Sequence, residues 1–190
     1  MKADQIAKVA LRRFTEHGYE GTSLSDIGEE VGIKKQSIYS HFKSKDELFI
    51  TVMNEVIGSE TESLRGFFSQ ECPDTKENLK DFILMLKNRY SSSEENNIKF
   101  ILRMAYMPPS HLEEDVIGNF NSFFLELEEM ICKVLEKDFK EKACSATLAF
   151  MTMLDGLLVA LTYGSEARFD QKFKAAWEIY WNGLVCEEKV

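Results

Sequence analysis

Residues 22–45 read TSLSDIGEEVGIKKQSIYSHFKSK: two short helical segments across a tight turn, then the capped start of a third. Ser23, with Asp26 three residues on, forms a capping box for the first segment. Leu24, Ile27 and Val31 then share one helical face. Gly32 follows where a helix must stop and the chain must turn left-handed. Ile33 is the apolar residue of the turn, placed to fill the angle between the helices. The second segment is predicted over 35–42, with Ile38 and Phe42 facing inward. Its outer face carries Lys35, Gln36, Ser37, Tyr39, Ser40 and His41, all hydrogen-bond donors and none acidic. Ser44 and Glu47 make a second capping box for the next helix.

A helix-turn-helix presents its second helix to the major groove of DNA while the first crosses the backbone. The outer-face residues suit that task. Lysine meets phosphate as a point charge, glutamine pairs with adenine edges, and small hydroxyls fit beside phosphates. With Thr22, Ser23, Lys34 and Lys45 at its margins, this set is the candidate DNA contact. Lys34 and Lys35 open the second helix with no side-chain acceptor for its first N–H groups and with charge that opposes the helix dipole. A phosphate there would reverse both faults, so the first turn is expected to fray without DNA. Helical hairpins have other uses. A protein-interaction module without DNA binding, and more remotely an enzyme, are the alternative readings on the residues alone.

The segment 2–49 resembles the N-terminal domain of the TetR family of transcriptional regulators. Ala10, Phe14, Gly18, Tyr19, Thr22, Ile27, Val31, Gly32, Ile33, Tyr39, Phe42, Lys45 and Leu48 stand in the family's order and spacing, and the run YSHFKSKDELF is the most specific part. The family often has alanine where this chain has Gly28 and Val31, serine at Lys34, and glycine or proline at Gln36. The last two departures bear on operator sequence, not on fold. The resemblance implies an all-α protein with a helix-turn-helix DNA-binding domain over 1–46 and a helical ligand-binding and dimerisation domain over 47–190. It further implies a cytoplasmic homodimeric repressor, released from a palindromic operator by a small effector.

Charge is distributed as that reading requires. The chain carries a net charge of −9, which by itself opposes DNA binding. Residues 1–50 hold eight basic and eight acidic side chains, so the whole acidic excess falls beyond them. Cys72, Cys132, Cys144 and Cys186 lack C-x-x-C spacing and read as reduced thiols. His17, His41 and His111 show no ligand spacing, and no glycine-rich phosphate loop or nucleophile elbow appears, so no metal, cofactor or catalytic residue is expected. The N-terminus does not read as a signal peptide, and the apolar run 147–163 contains Asp155 and is short for a membrane span.

Beyond the head, helices are predicted over 44–69, 75–90, 95–107, 111–137, 140–163 and 170–186, with a polar turn at 91–97. Phe82, Phe100, Met104, Met107, Phe120, Phe123, Phe124 and Phe150 offer a soft, aromatic lining for a small hydrophobic effector. Arg103 and Asp155, each inside an apolar helix, need partners if buried and would favour an anionic or a cationic ligand respectively. A helix apolar on all sides near 148–163 has two surfaces to cover. Thr152, Gly156 and Ala160 at i, i+4 spacing, with Trp177, Tyr180, Trp181 and Leu184 as anchors, form the expected two-fold dimer interface.

Overall fold

A computed structural model of the chain describes residues 2–92 and 96–186. These are helical throughout, with no strand among them: α1 (Lys2–His17), α2 (Leu24–Val31), α3 (Lys35–Ile38), α4 (Lys45–Phe68), α5 (Thr75–Ser91), α6 (Asn97–Tyr106), α7 (Glu113–Phe139), α8 (Ala143–Tyr163) and α9 (Glu166–Val185). The centre of the predicted polar turn, 93–95, lies outside the described residues. Single 3-10 turns, Ser110–Leu112 and Lys140–Lys142, lead into α7 and α8.

Local chemistry accounts for several boundaries. Asp74 caps α5 by accepting from Glu77 N at 3.1 Å. Ser165 caps α9 by accepting from Arg168 N at 3.2 Å. That cap starts α9 four residues before the predicted position. α3 is shorter than predicted. It is one turn, followed by looser turns in which Ile38 O accepts from both His41 N and Phe42 N.

The chain divides into two compact units. The first holds residues 2–62 together with 96–123; the second holds 63–92 and 124–186. α4 and α7 contribute to both. The predicted head, 1–46, falls wholly in the first unit.

The first unit packs α1, α2, α3, the start of α4 and α6 around an aromatic centre. Phe14 meets Phe49 edge-on at 5.2 Å and stacks on Tyr19 at 5.9 Å, and Phe49 meets Phe100 at 5.8 Å. Ile6, Ile27, Ile38, Leu48 and Met53 complete this core and are fully buried. Three short helices enclose little apolar area alone, so Phe49 and Phe100, from outside the predicted head, help close its core. The second unit centres on Phe82. Phe67, Phe68 and Phe150 surround it at 5.7, 5.0 and 6.4 Å, and Tyr180 continues the cluster from Phe150 at 5.9 Å. An 18-residue window within Ser110–Tyr163 has mean hydropathy 1.8, apolar enough for a membrane span by composition. Half of it is buried inside the folded chain.

Candidate nucleic-acid interface

The turn between α2 and α3 sets the site. Ser23 accepts from Asp26 N at 3.2 Å while the Asp26 carboxylate accepts from Ser23 N at 3.0 Å, so the capping box is closed. The Ser23 bonds hold the Asp26 carboxyl below the usual carboxylate range. Gly32 takes φ +74° at the end of α2, a conformation that L side chains rarely adopt. Ile33 N then donates back to Gly28 O at 2.8 Å. A Cβ on Gly28 would stand 2.9 Å from Ile33 O. The absence of a side chain there is what lets the turn close this tightly. Glu47 N donates to Ser44 Oγ at 3.0 Å, and the Glu47 carboxylate accepts from Lys43 N, one residue before the position a standard box would use.

This scaffold leaves Lys34, Lys35, Gln36, Ser37, Tyr39, Ser40 and His41 exposed together on α3 and the turns after it. Tyr39 is 48% exposed, and the Lys35 ammonium lies 5.9 Å from its ring centre. Ser40 Oγ donates to Ser37 O at 2.7 Å, which leaves its lone pairs outward. Lys34 provides no side-chain cap, as its chemistry requires, yet the first turn is formed, with Ser37 N donating to Lys34 O at 2.8 Å. A single turn has little summed dipole, so Lys34 and Lys35 act here as point charges. Lys43, absent from the predicted set, is exposed beside them.

One predicted contact is corrected, and a second is engaged within the head. Thr22 is buried, and its hydroxyl donates to Gly18 O at 2.8 Å and Arg13 O at 3.1 Å. It ties α1 to α2 and offers nothing outward. Lys45 donates to Tyr19 O at 3.0 Å and Thr22 O at 3.1 Å, with its ammonium 3.8 Å from the Tyr19 ring centre. Its charge is used inside the head. Arg12 and Arg13 are likewise engaged by Glu30.

A polar network that periodicity could not reveal joins α6 and the turn before α7 to this head. Arg103 Nη1 donates to Thr15 O at 3.0 Å and Glu16 O at 3.1 Å, so the guanidinium caps the last turn of α1. A Cβ on Gly18 would lie 3.1 Å from its Nη2. Arg103 is therefore a tie within the protein. The Asp46 carboxylate accepts from the Tyr19 hydroxyl and lies 3.2 Å from His111 Nε2. The Tyr19 bond, then the His111 bond, hold the Asp46 carboxyl below the usual carboxylate range. Burial, then Asp46, push the Tyr19 hydroxyl up.

The remaining predicted ligand residues fall in both units. Phe100, Met104, Phe120 and Phe123 are buried in the first unit, and Phe82 and Phe150 in the second. Phe124 is half-buried. Met107 is 63% exposed because it ends α6. Asp155, within α8, is exposed. Two surface cavities of the second unit, about 440 Å³ beside Phe139 and Leu184 and about 240 Å³ beside Phe68 and Val134, are lined by none of these residues. Of the predicted dimer residues, Thr152 and Gly156 are exposed and Tyr180 and Trp181 half-exposed. Ala160, Trp177 and Leu184 are buried within the chain. Burial pushes the Tyr180 hydroxyl up to about 12, and it donates to Ala146 O at 3.0 Å. The sequence reading missed Leu148, 59% exposed, Tyr163, 67%, and Ile179, 75%.

Residues 6–52 match the family of bacterial regulatory proteins called the tetR family, over the same head whose geometry is set by Gly28, Gly32 and the Ser23–Asp26 box. The head is thus a TetR-family head. Across most of its length this chain is similar to IcaR of Staphylococcus aureus strain Newman, the negative transcriptional regulator of the biofilm operon icaADBC. The two are 28% identical over 186 residues, which covers 92% of this chain and 89% of IcaR. Its fold is shared with a TetR-family transcriptional regulator from Agrobacterium tumefaciens, with TM-score 0.75, 22% identity, and 94% and 96% of the two chains covered. It is also shared with AibR, solved in complex with isovaleryl coenzyme A and operator DNA, with TM-score 0.69, 16% identity, and 94% and 97% covered.

Proposed function

We propose that this TetR-family chain is a cytoplasmic transcriptional repressor that binds a palindromic operator as a homodimer and is released by a small hydrophobic effector. Residues 1–46 serve as its DNA-binding domain and 47–190 as its effector and dimer domain. The observation that carries the reading is the exposed, acid-free set Lys34, Lys35, Gln36, Ser37, Tyr39, Ser40 and His41 on a closed helix-turn-helix. Lys34, Lys35 and Tyr39 meet phosphates, and Gln36, Ser37 and Ser40 reach base edges. The negative regulator IcaR supports the sign of regulation, and the AibR complex supports a regulator of this fold that takes both DNA and a ligand.

The homodimer reading rests on the exposed strip of α8, Leu148, Thr152, Gly156 and Tyr163, with Ile179 on α9. Such apolar exposure calls for a partner surface, and a two-fold dimer supplies the same surface from a second copy. The effector reading rests on the aromatic cluster around Phe82. Phe67 and Phe68 belong to the C-terminal end of α4, and Lys45 and Asp46 to its start. Repacking Phe82 or Phe150 around an apolar ligand would act on α4 at one end and on the head at the other.

The test begins by sequencing the genomic fragments the protein retains, which yields an operator duplex. Lys35→Ala is expected to weaken operator and random DNA alike and to flatten the log–log salt slope by about one unit per lost phosphate contact. Gln36→Ala is expected to change operator preference at an unchanged salt slope. If the double replacement of Lys34 and Lys35 keeps the wild-type slope, the proposed contact surface is wrong.

A further inference from the structure

The surface cavity of about 240 Å³ is a groove between the end of α4 and the C-terminal part of α7, both within the second unit. Its floor is apolar. Val134 is buried, and its carbonyl accepts from Thr75 Oγ1 at 3.4 Å, which ties the floor to α5. Phe68 from α4 is half-buried and packs on Phe82 at 5.0 Å, and half-buried Met130 comes from α7. The polar lining is cationic, and no Asp or Glu belongs to it. Arg65 is already answered, because its Nε donates to Glu126 Oε1 at 2.6 Å. Lys133 and Lys137 are exposed, and neither has an ion-pair partner among the described residues. They stand one turn apart on α7, where like charges repel. Lys137, in the last turn of α7, complements the dipole of that helix. Lys133 lies before that turn and has no such use. The acidic excess of the chain falls beyond residue 50, so an acid-free lining with two unanswered ammonium groups runs against the local trend.

We propose that this groove binds a small amphipathic anion, one acidic head group on a short apolar stem. The head accepts from the Lys133 and Lys137 ammonium groups and relieves their repulsion. The stem lies on Phe68, Met130 and Val134 and takes their apolar surface out of water. Ammonium groups act as point charges with no planar fork, so the site selects charge and not one head-group shape. The cavity is smaller than the roughly 300–1,000 Å³ that encloses a drug-sized ligand, which limits the stem to a short chain. A ligand held this way joins the C-terminal end of α4 to α7 and touches Phe68, which packs on Phe82. Occupancy is therefore expected to shift operator affinity. That consequence rests on the effector reading; the binding site does not.

The test is a calorimetric titration of the full chain with octanoate below its micellar range, beside octanamide and acetate. Octanoate is expected to bind saturably, and several-fold more weakly as salt rises, because charges at the surface are screened. Octanamide keeps the stem without the charge and acetate keeps the charge without the stem, so each is expected to bind far more weakly. Lys133→Gln with Lys137→Gln is expected to remove most of the octanoate affinity at wild-type helix content, since both side chains are exposed. Ser69→Glu, which sets a carboxylate in the groove from another exposed position, is expected to do the same. Lys80→Gln, on α5 and outside the lining, is expected to change nothing. No saturable octanoate binding would overturn the proposal. Octanamide binding as tightly as octanoate would overturn the anionic class, and acetate doing so would overturn the apolar stem. Wild-type octanoate affinity in the Lys133, Lys137 double variant would overturn the location. Octanoate binding in the groove with unchanged operator affinity would overturn the regulatory consequence.

Discussion

Thr22, Lys45 and Arg103 show how a polar residue's role depends on its partner and not its type. Each offers donors, and in each the donors are satisfied by main-chain carbonyls of the head: Gly18 and Arg13 for Thr22, Tyr19 and Thr22 for Lys45, Thr15 and Glu16 for Arg103. Thr22→Val keeps the shape and removes the hydroxyl, leaving buried acceptors short of a donor. It is expected to destabilise the chain by about 1–2 kcal/mol while the salt slope of DNA binding stays at its wild-type value. A flattened slope would return Thr22 to the phosphate contacts. Asp46 has a pH signature. Its carboxyl is held below the ordinary range, so its bonds add stability above the unfolded value of about 4. That contribution disappears as the pH falls through the folded value. The melting temperature should therefore fall on the acid side, and Asp46→Asn should flatten that limb. The same acid slope in both proteins would rule Asp46 out.

α1 ends under the guanidinium of Arg103 from α6, so the stability of one helix depends on a side chain from another. Arg103→Met keeps most of the apolar stem and removes the cap. The expected loss is about 1–2 kcal/mol in chemical denaturation, with weaker operator binding because α1 braces the helix-turn-helix through Thr22. Arg103→Lys is expected to recover only part, since the lysine nitrogen stops short of the position Nη1 occupies. Wild-type stability in the methionine variant would show that the cap contributes nothing. The same tie offers a route by which a displaced α6 would loosen the head under the effector reading.

On the scale of the whole molecule, apolar surface left uncovered is the informative feature. Ile179 is 75% exposed and Leu148 59%, values that suit a second copy of the chain and not solvent. Leu148→Glu with Ile179→Glu should leave the fold of the single chain nearly unchanged, because neither side chain fills its core. It should place like charges in a two-fold interface. The expected result is a monomer by sedimentation with wild-type helix content and much weaker operator affinity. A dimer that survives both charges must use another face.

Helix type and number were legible in the sequence because they follow from local terms: apolar spacing at 3.6 residues, Ser23 and Asp26 closing one box, Gly32 taking a left-handed turn. The exposed face of the candidate DNA site was legible for the same reason, since one turn of helix decides which neighbours of Ile38 point outward. What lay beyond it was decided by contacts distant in the chain. Phe49 and Phe100 share a core with Phe14, and no local pattern links them. Arg103 reaches a helix 87 and 88 positions earlier, and His111 meets Asp46 across 65. α8 is apolar on every side, so its periodicity could not say which side faces the chain. Packing covered Ala160 and exposed Leu148.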